Sequence, residues 1–260
     1  MSRGESEAER AGSPRPGPAG HKPIGAQPST QSAAAFFARV SRDLMQEQAE
    51  IPTMQRIAER AVQIVPGCDH CGISLRRRRH RLESAAATSA LAEKCDALQF
   101  DLGEGPCLET VWEAEAHLTE DTGSETRWPR WAPQVAEHGI GSVLSIPLTT
   151  STETLGALNL YAERTHGFSR NDIDLAVIYA LHAANAMSTA LRVQGLQTAV
   201  HSRHLIGVAQ GILMQNYGVD MEHAFELLRR YSSHRNTKLR EVAEHVVRSG
   251  DLPDRTLLLD

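Results

Sequence analysis

The sequence predicts an α+β domain, with a largely antiparallel sheet flanked by helices, followed by an all-α region made of a coiled-coil stalk and a three-helix bundle. Short strand-like stretches alternate irregularly with helices up to residue 161, a pattern typical of α+β folds. An apolar repeat with alternating steps of four and three residues begins at Ile173, as in a coiled coil. Three short amphipathic helices can be read between Ser202 and Val247, and each is too short to be stable unless it packs on the others.

The composition excludes several classes of protein. Of the 260 residues, 41% are hydrophobic and 23% are charged, which is ordinary for a soluble globular protein. The sequence contains no apolar run of membrane-spanning length and no signal-peptide core, so we expect a cytoplasmic protein with no membrane partner. The net charge of −5 gives no overall attraction to nucleic acid, so any such contact must come from a local patch.

The α+β domain is predicted over residues 32–190, behind a leader at residues 1–31. The leader is rich in Pro, Gly, Ser and charge, so it cannot bury enough apolar surface to fold and is predicted to be disordered. Helices are predicted from Ser32, after Pro52, and at residues 91–98 and 129–138. Strands are predicted at residues 70–75, 82–88, 116–119, 142–148 and 155–161.

A linking helix is predicted over residues 172–200, beginning at a capping box formed by Ser169 and Asp172. Its apolar repeat matches the a and d positions of a coiled coil over about three heptads and predicts a homodimer. The repeat consists of Ile173, Val177, Ala180, Ala184, Met187 and Leu191. The alternative is a helix that packs on its own sheet. Gln194 and Thr198 interrupt the repeat, which predicts a bend or junction near Gly195.

The three-helix bundle is predicted over residues 198–253. The first helix ends at Gly218, and Asp220 caps the second. The side chains predicted to point inward from the second helix are Ala224, Phe225, Leu228 and Tyr231. Asn236 or Thr237 is predicted to cap the third helix, which ends at Gly250. Its inward side chains are predicted to be Leu239, Val242, Ala243 and Val246.

Motifs at fixed spacing in this bundle resemble the ANTAR domain. They are Ala209-x-Gly211-x-Leu213-Met214, Ala224-Phe225-x-x-Leu228-Arg229-x-x-Ser232 and Asn236-x-Lys238-Leu239-x-x-Val242-Ala243. The resemblance implies a three-helix RNA-binding module of a bacterial antitermination regulator, which binds small paired hairpins in nascent transcripts. The family usually has Lys where this chain has Gln210, so one phosphate contact is expected to be missing.

Other motifs resemble the GAF sensor domains of actinobacterial regulators that also end in an ANTAR domain. They are Gly103-Glu104-Gly105-Pro106-Cys107, Arg127-Trp128-Pro129, residues 142–148 (SVLSIPL) and residues 155–161 (LGALNLY). This resemblance implies an α+β sensor fold and a small-molecule ligand. It identifies neither the ligand nor the ligand-binding residues, and we predict no cofactor.

The polar side of the bundle carries the predicted RNA contacts. Between His201 and Arg240 there are six Lys or Arg residues and three acidic residues, a patch that can neutralise a few phosphates. The predicted contacts are Arg203, Arg229, Asn236 and Lys238. A solvated face is the alternative for the basic residues, and a helix cap is the alternative for Asn236.

Two other functions stay open. Three helices can also form a DNA-binding helix-turn-helix, although Glu241 and Glu244 in the third helix argue against entry into a groove. A redox sensor or GAF-type sulfoxide reductase would use Cys68, Cys71 or Cys107, and Cys107 at the start of a helix would have a lowered thiol pKa. The sequence shows no catalytic motif and no metal site with matched cysteine pairs, so we do not expect an enzyme.

Overall fold

The computed structural model describes residues 50–77 and 81–253. The leader and the helix predicted from Ser32 lie outside the described residues. The helices are α1 (Glu50–Ile64), α2 (Ala90–Leu102), α3 (Pro106–Glu113), α4 (Trp131–Glu137), α5 (Arg170–Tyr217), α6 (Met221–Arg235) and α7 (Leu239–Ser249). The strands are β1 (His70–Arg77), β2 (Arg81–Ala87), β3 (His117–Thr119), β4 (Ser142–Thr149) and β5 (Thr154–Ala162).

The five strands form one sheet in the order β2-β1-β5-β4-β3, and every neighbouring pair is antiparallel. Alternate residues of β5 face opposite sides of the sheet, as the pleat requires. Leu158 and Leu160 belong to the core beneath α1 and α5. Asn159 and Tyr161 face α2 and hydrogen-bond to Asp96 there. The predicted α+β class with an antiparallel sheet is therefore confirmed.

The larger core lies between the sheet and the helices α1 and α5. Its fully buried side chains include Ile57 from α1, Ile73 from β1 and Met187 from α5. The hydroxyl of Tyr179 in α5 donates a hydrogen bond of 2.7 Å to the carbonyl oxygen of Ile57. This bond joins α1 and α5, which are far apart in sequence but lie on the same face of the sheet.

A single helix, α5, runs for 48 residues and leaves the α+β domain. It begins at the predicted capping box, because Ser169 accepts from the Asp172 backbone and Asp172 accepts from the Ser169 backbone. It ends at Gly218, which is left-handed with φ 65°. The helix is unbroken at Gly195, where a bend or junction is predicted. Gln194 and Thr198 interrupt the apolar repeat, but they leave the backbone hydrogen bonds of the helix intact, and an isolated helical glycine costs only about 1 kcal/mol.

The apolar repeat of α5 is used within its own domain. Ala180, Ala184 and Met187 are buried in the core beneath the sheet, so the alternative of a helix packed on its own sheet describes this part of the repeat. Only Val177 of the repeat is substantially exposed, at 45%. The burial of the small alanines lets α5 lie close to α1 and the sheet.

Four exposed apolar side chains lie on one face of α5, in two pairs that are separated by the polar residues Asn185, Thr189 and Arg192. They are Ile178, Leu181, Leu196 and Val200, which are 44%, 57%, 69% and 69% exposed. Residues 195–201 are exposed on every side of the helix, between the α+β domain and the bundle. No helix in the described residues is long and apolar enough to cross a membrane.

Candidate nucleic-acid interface

The end of α5 packs with α6 and α7 into a three-helix bundle that has its own hydrophobic core. The first of the three predicted helices is therefore the last part of α5 and not a separate element. The buried side chains are Ala209, Leu213, Ala224, Leu228, Tyr231, Val242, Ala243, Val246 and Leu252. Because all three helices contribute, the bundle holds its polar faces in a fixed arrangement.

The joint between α5 and α6 is held by side-chain hydrogen bonds. Asp220 caps α6 as predicted, and its Oδ1 accepts from the His223 backbone N–H at 2.9 Å. This hydrogen bond lowers the pKa of the Asp220 carboxyl. The Nε2 of Gln210 donates to the carbonyl oxygen of Met221 at 3.0 Å. Gln210 thus fastens α5 to the first residue of α6.

The turn between α6 and α7 differs from the prediction. Asn236 ends α6 in the left-handed conformation, with φ 49°, and its backbone N–H donates to the carbonyl oxygens of Ser232 and Ser233. The N-cap of α7 is Lys238, which makes no side-chain cap. The prediction that Asn236 or Thr237 caps the third helix is therefore wrong. Asparagine tolerates the left-handed region better than most residues and so serves here as a C-cap.

The predicted basic contacts are exposed and only weakly paired. Arg229 forms an ion pair with Glu226 at 3.1 Å, and Lys238 lies 3.9 Å from Glu241. Ion pairs at exposed positions contribute little to stability, so these side chains can turn to a phosphate at small cost. Arg203 is exposed on α5, ahead of the bundle core. Asn236 and Lys238 lie together in the α6–α7 turn, and Arg229 lies about two helical turns before Asn236 on the same side of α6.

The same side of α6 also exposes a large aromatic ring. Phe225, which was predicted to point inward, is 38% exposed. The bundle buries the narrow stripe formed by Ala224, Leu228 and Tyr231, and Phe225 lies about 100° around the helix from Ala224. Phe225 precedes Arg229 by one turn, so an aromatic ring and a guanidinium lie next to each other on one exposed face. The sequence motif did not reveal that Phe225 is exposed, because an apolar residue beside a buried stripe is usually interpreted as part of the core.

Comparisons with known proteins assign both regions to families. The ANTAR domain model matches residues 194–247. The GAF domain model matches residues 52–188, which is more than half of the chain. The chain belongs to the GAF domain family.

Solved structures share the GAF fold at low sequence identity. The GAF domain of an Acinetobacter phosphoenolpyruvate-protein phosphotransferase matches with a TM-score of 0.50 and 16% identity, covering 64% of this chain and 97% of that one. The free methionine-R-sulfoxide reductase of Neisseria meningitidis, in complex with its substrate, matches with a TM-score of 0.50 and 13% identity, covering 65% and 95%. At such identities the matches show the fold alone. No curated protein matches the chain.

The GAF domain contains a buried polar network between the sheet and α2. The Asp96 Oδ1 accepts from Asn159 Nδ2 at 2.8 Å and from the Tyr161 hydroxyl at 2.5 Å. Asn159 also donates to Ser74 Oγ at 3.0 Å and accepts from Ser145 Oγ at 2.8 Å. The Asp96 Oδ2 has no hydrogen-bond partner among the described residues. Burial raises the pKa of the Asp96 carboxyl to about 7, although the two hydrogen bonds oppose this shift.

A glycine makes room for this carboxyl group. A Cβ atom at residue 72 of β1 would lie 2.1 Å from Asp96 Oδ2, so only Gly72 allows the side chain of α2 to reach the strand. The sequence offers no signal for this network, because Asp96 is separated from Asn159 and Tyr161 by 63 and 65 residues.

The cysteines of the GAF domain are all free and buried. Burial raises the pKa of the Cys68 and Cys107 thiols to about 12 and that of Cys71 well above its usual value. The expectation that Cys107 has a lowered pKa is therefore wrong, because loss of solvent outweighs any effect of its position near the start of α3. The thiolate is the reactive form, so burial disfavours the reactive form of these thiols in the conformation described.

The motif residues of the GAF domain have structural roles. Glu104 Oε1 accepts from the backbone N–H groups of Arg130 and Trp131 at 2.5 Å and 2.9 Å, and so caps α4. The Gln99 Oε1 accepts from the Cys107 backbone N–H at 2.8 Å. The Gly103–Cys107 motif is thus a tight connection that joins α2, α3 and α4.

Proposed function

We propose that the protein is a signal-responsive RNA-binding regulator that promotes transcription antitermination by binding hairpins in nascent transcripts as a dimer. The observation that carries the proposal is the ANTAR match over a bundle that exposes Phe225, Arg229 and Asn236 on one side of α6. A GAF domain joined to an ANTAR domain is the architecture of a regulator and not of an enzyme. The proposal places the protein in the cytoplasm, where transcripts are made.

The chemistry of the exposed face suits single-stranded loop bases. Sequence-specific RNA recognition targets unpaired bases that stack on aromatic side chains, while arginine and lysine contact the phosphates. Phe225 supplies the stacking surface in this proposal, with Arg229 and Lys238 at the backbone and Asn236 at a base edge. Gln210 is used to join α5 to α6, so it is not one of the contacts. Arg203 extends the basic surface along α5.

The proposed dimer forms through the exposed apolar residues Leu196 and Val200 of α5. Leu196 and Val200 are each 69% exposed, on a segment where no other described residue covers the helix. An exposed apolar stripe on a helix favours pairing with a second helix. Two paired α5 helices would place two bundles side by side, so that one dimer binds two hairpins.

The proposed signal travels through α5. In the described part of the chain, this helix contributes both to the core of the GAF domain and to the core of the bundle. A ligand that binds one arrangement of the GAF domain better would shift the population toward that arrangement. The two bundles would then change their spacing or register. RNA held by the active dimer would be unable to form the terminator hairpin.

RNA binding by the full chain tests the proposal. The affinity is measured by fluorescence anisotropy for an RNA with two linked hairpins, for a single hairpin and for duplex DNA. We expect the two-hairpin RNA to bind at least about tenfold more tightly than the single hairpin, because the second contact is intramolecular. Changes to the loop bases should weaken binding. Equal competition by duplex DNA, or indifference to the loop bases, would contradict the proposal.

A further inference from the structure

Two glutamates and a histidine meet at one edge of the GAF domain. Glu109 and Glu113 lie four residues apart on one face of α3, and His117 lies in the edge strand β3. The His117 Nε2 is 3.6 Å from Glu109 Oε2 and 3.3 Å from Glu113 Oε2. The three ligand atoms all lie within 4.8 Å of one another. We call these residues the Glu109–Glu113–His117 cluster.

Residues outside the cluster fix its orientation. The hydroxyl of the buried Thr110 donates to the Ser145 carbonyl oxygen at 3.4 Å and lies 3.1 Å from His117 Nδ1. When the hydroxyl proton is engaged by Ser145, the hydroxyl oxygen is free to accept from the His117 Nδ1–H, and this is the tautomer that leaves a lone pair on Nε2 for a metal ion. The Trp128 indole N–H donates to Glu109 Oε1 at 2.8 Å and leaves Oε2 to face the histidine. Such outer partners are what hold histidine and carboxylate ligands in metal sites.

In this tautomer three acceptor atoms face one another, and a cation between them, either a proton on Nε2 or a metal ion, offsets their repulsion. A proton on Nε2 is one candidate, but distances of 3.3 Å and 3.6 Å are longer than good N–H···O hydrogen bonds. A tetrahedral zinc ion with ligands at about 2.1 Å has ligand atoms about 3.4 Å apart. The measured distances fit this spacing.

We propose that Glu109, Glu113 and His117 bind a divalent metal ion of the zinc class, with the fourth position open to solvent. Imidazole and carboxylate together suit zinc and similar borderline ions. The two carboxylates balance the charge of the ion. The side chain of His117 is only 14% exposed, whereas that of Glu113 is 56% exposed, so the ion would have a protected side and an open side. It would fasten the short edge strand β3 to α3 and would give the GAF domain a ligand independent of RNA.

Metal titration of the full chain tests this proposal. After removal of metals by a chelator, Co²⁺ is added and its visible absorption is followed, and Zn²⁺ is then used to displace it. We expect one equivalent to bind. Because Trp128 contacts Glu109 and its ring lies edge-on to His117, bound Co²⁺ should also quench tryptophan fluorescence.

Matched variants locate the site. Glu113→Gln changes an exposed ligand and should weaken binding at least about tenfold, and His117→Gln should do the same. Glu115→Gln changes an exposed glutamate two residues further along and should leave the affinity unchanged. His166→Ala is a second control, since among the described residues His166 pairs with a single carboxylate, that of Glu120 at 3.8 Å. Absence of binding would overturn the proposal, as would binding that Glu113→Gln and His117→Gln leave unaltered.

Discussion

Replacing Asp96 with asparagine tests whether the GAF domain holds a neutral carboxyl group at its centre. The pKa of Asp96 is raised by burial from 3.8 to about 7 in the folded chain. Between these two values the folded state holds a proton that the unfolded state has lost, so the free energy of unfolding falls as the pH rises. The contribution is fully present below pH 4 and is lost as the pH approaches 7.

The expected change in the free energy of unfolding follows from the raised pKa of Asp96. Each pH unit within this window changes the stability by about 1.4 kcal/mol, so the contribution of Asp96 falls by roughly 3 kcal/mol between pH 5 and pH 8. The amide of the Asp96→Asn variant cannot ionise, and other groups titrate alike in both proteins. The stability of the wild type relative to Asp96→Asn should therefore fall by that amount over this range. At pH 5 both side chains are neutral, and they differ beside Gly72 in that the protonated carboxyl places one unpaired O–H there and the amide two N–H groups.

Urea unfolding followed by tryptophan fluorescence measures this difference. The three tryptophans of the chain are Trp112, Trp128 and Trp131, all within the GAF match, so the signal reports this domain and not the bundle. The free energies of both proteins are compared at intervals from pH 5 to pH 8. If the difference in free energy of unfolding between the wild type and Asp96→Asn changes by less than about 1 kcal/mol over this pH range, a neutral Asp96 is refuted. A carboxylate that is ionised throughout the range does not change the stability with pH.

Three further predictions concern the proposed RNA interface. Arg229→Ala should weaken RNA binding and lower the slope of log affinity against log salt concentration by about one unit. Arg230→Ala, about 100° further around α6, should change the affinity and the slope much less. Both quantities are measured by fluorescence anisotropy at several salt concentrations. Phe225→Ala should cost about 1–3 kcal/mol of RNA affinity through lost stacking, and Phe225→Tyr should retain it; an unchanged affinity for Phe225→Ala would exclude stacking. Leu196→Asp should shift the dimer to monomer in sedimentation experiments and should abolish the preference for two linked hairpins, while the exposed Thr198→Asp, about 200° from Leu196 around the helix, should do neither.

The sheet was predictable because its strands carry local information. The alternating apolar residues of β4 and β5 place one face in the core, and the predicted bounds lie within about two residues of those observed. The sequence predicts only a helix start at Cys107 and no bounds for α3, so the positions of Glu109 and Glu113 on one face, and their approach to His117, could not be predicted.

The bundle shows a second limit, which is the choice between two local roles. Asparagine serves both as an N-cap and as a left-handed C-cap, so the sequence could not decide which helix Asn236 terminates. Phe225 fits an inward position by its hydrophobicity, and only the packed width of the bundle shows that the ring stays exposed. Both errors concern the face now proposed for RNA, and correcting them moves Phe225 from the core to the interface.

The continuity of α5 changes what a signal can do. A break in the helix near Gly195 would let each bundle rotate independently of its GAF domain, and a change in the sensor would then be lost at the joint. An unbroken helix couples the two cores, because residues such as Ala184 are locked in the GAF core and Leu213 is locked in the bundle. An axial or rotational displacement of α5 in the sensor is therefore expected to reach the face proposed to bind RNA. Insertion of one residue near Gly195 would rotate each bundle by about 100° relative to its sensor, and it should abolish the preference for two linked hairpins while leaving the affinity for one hairpin unchanged.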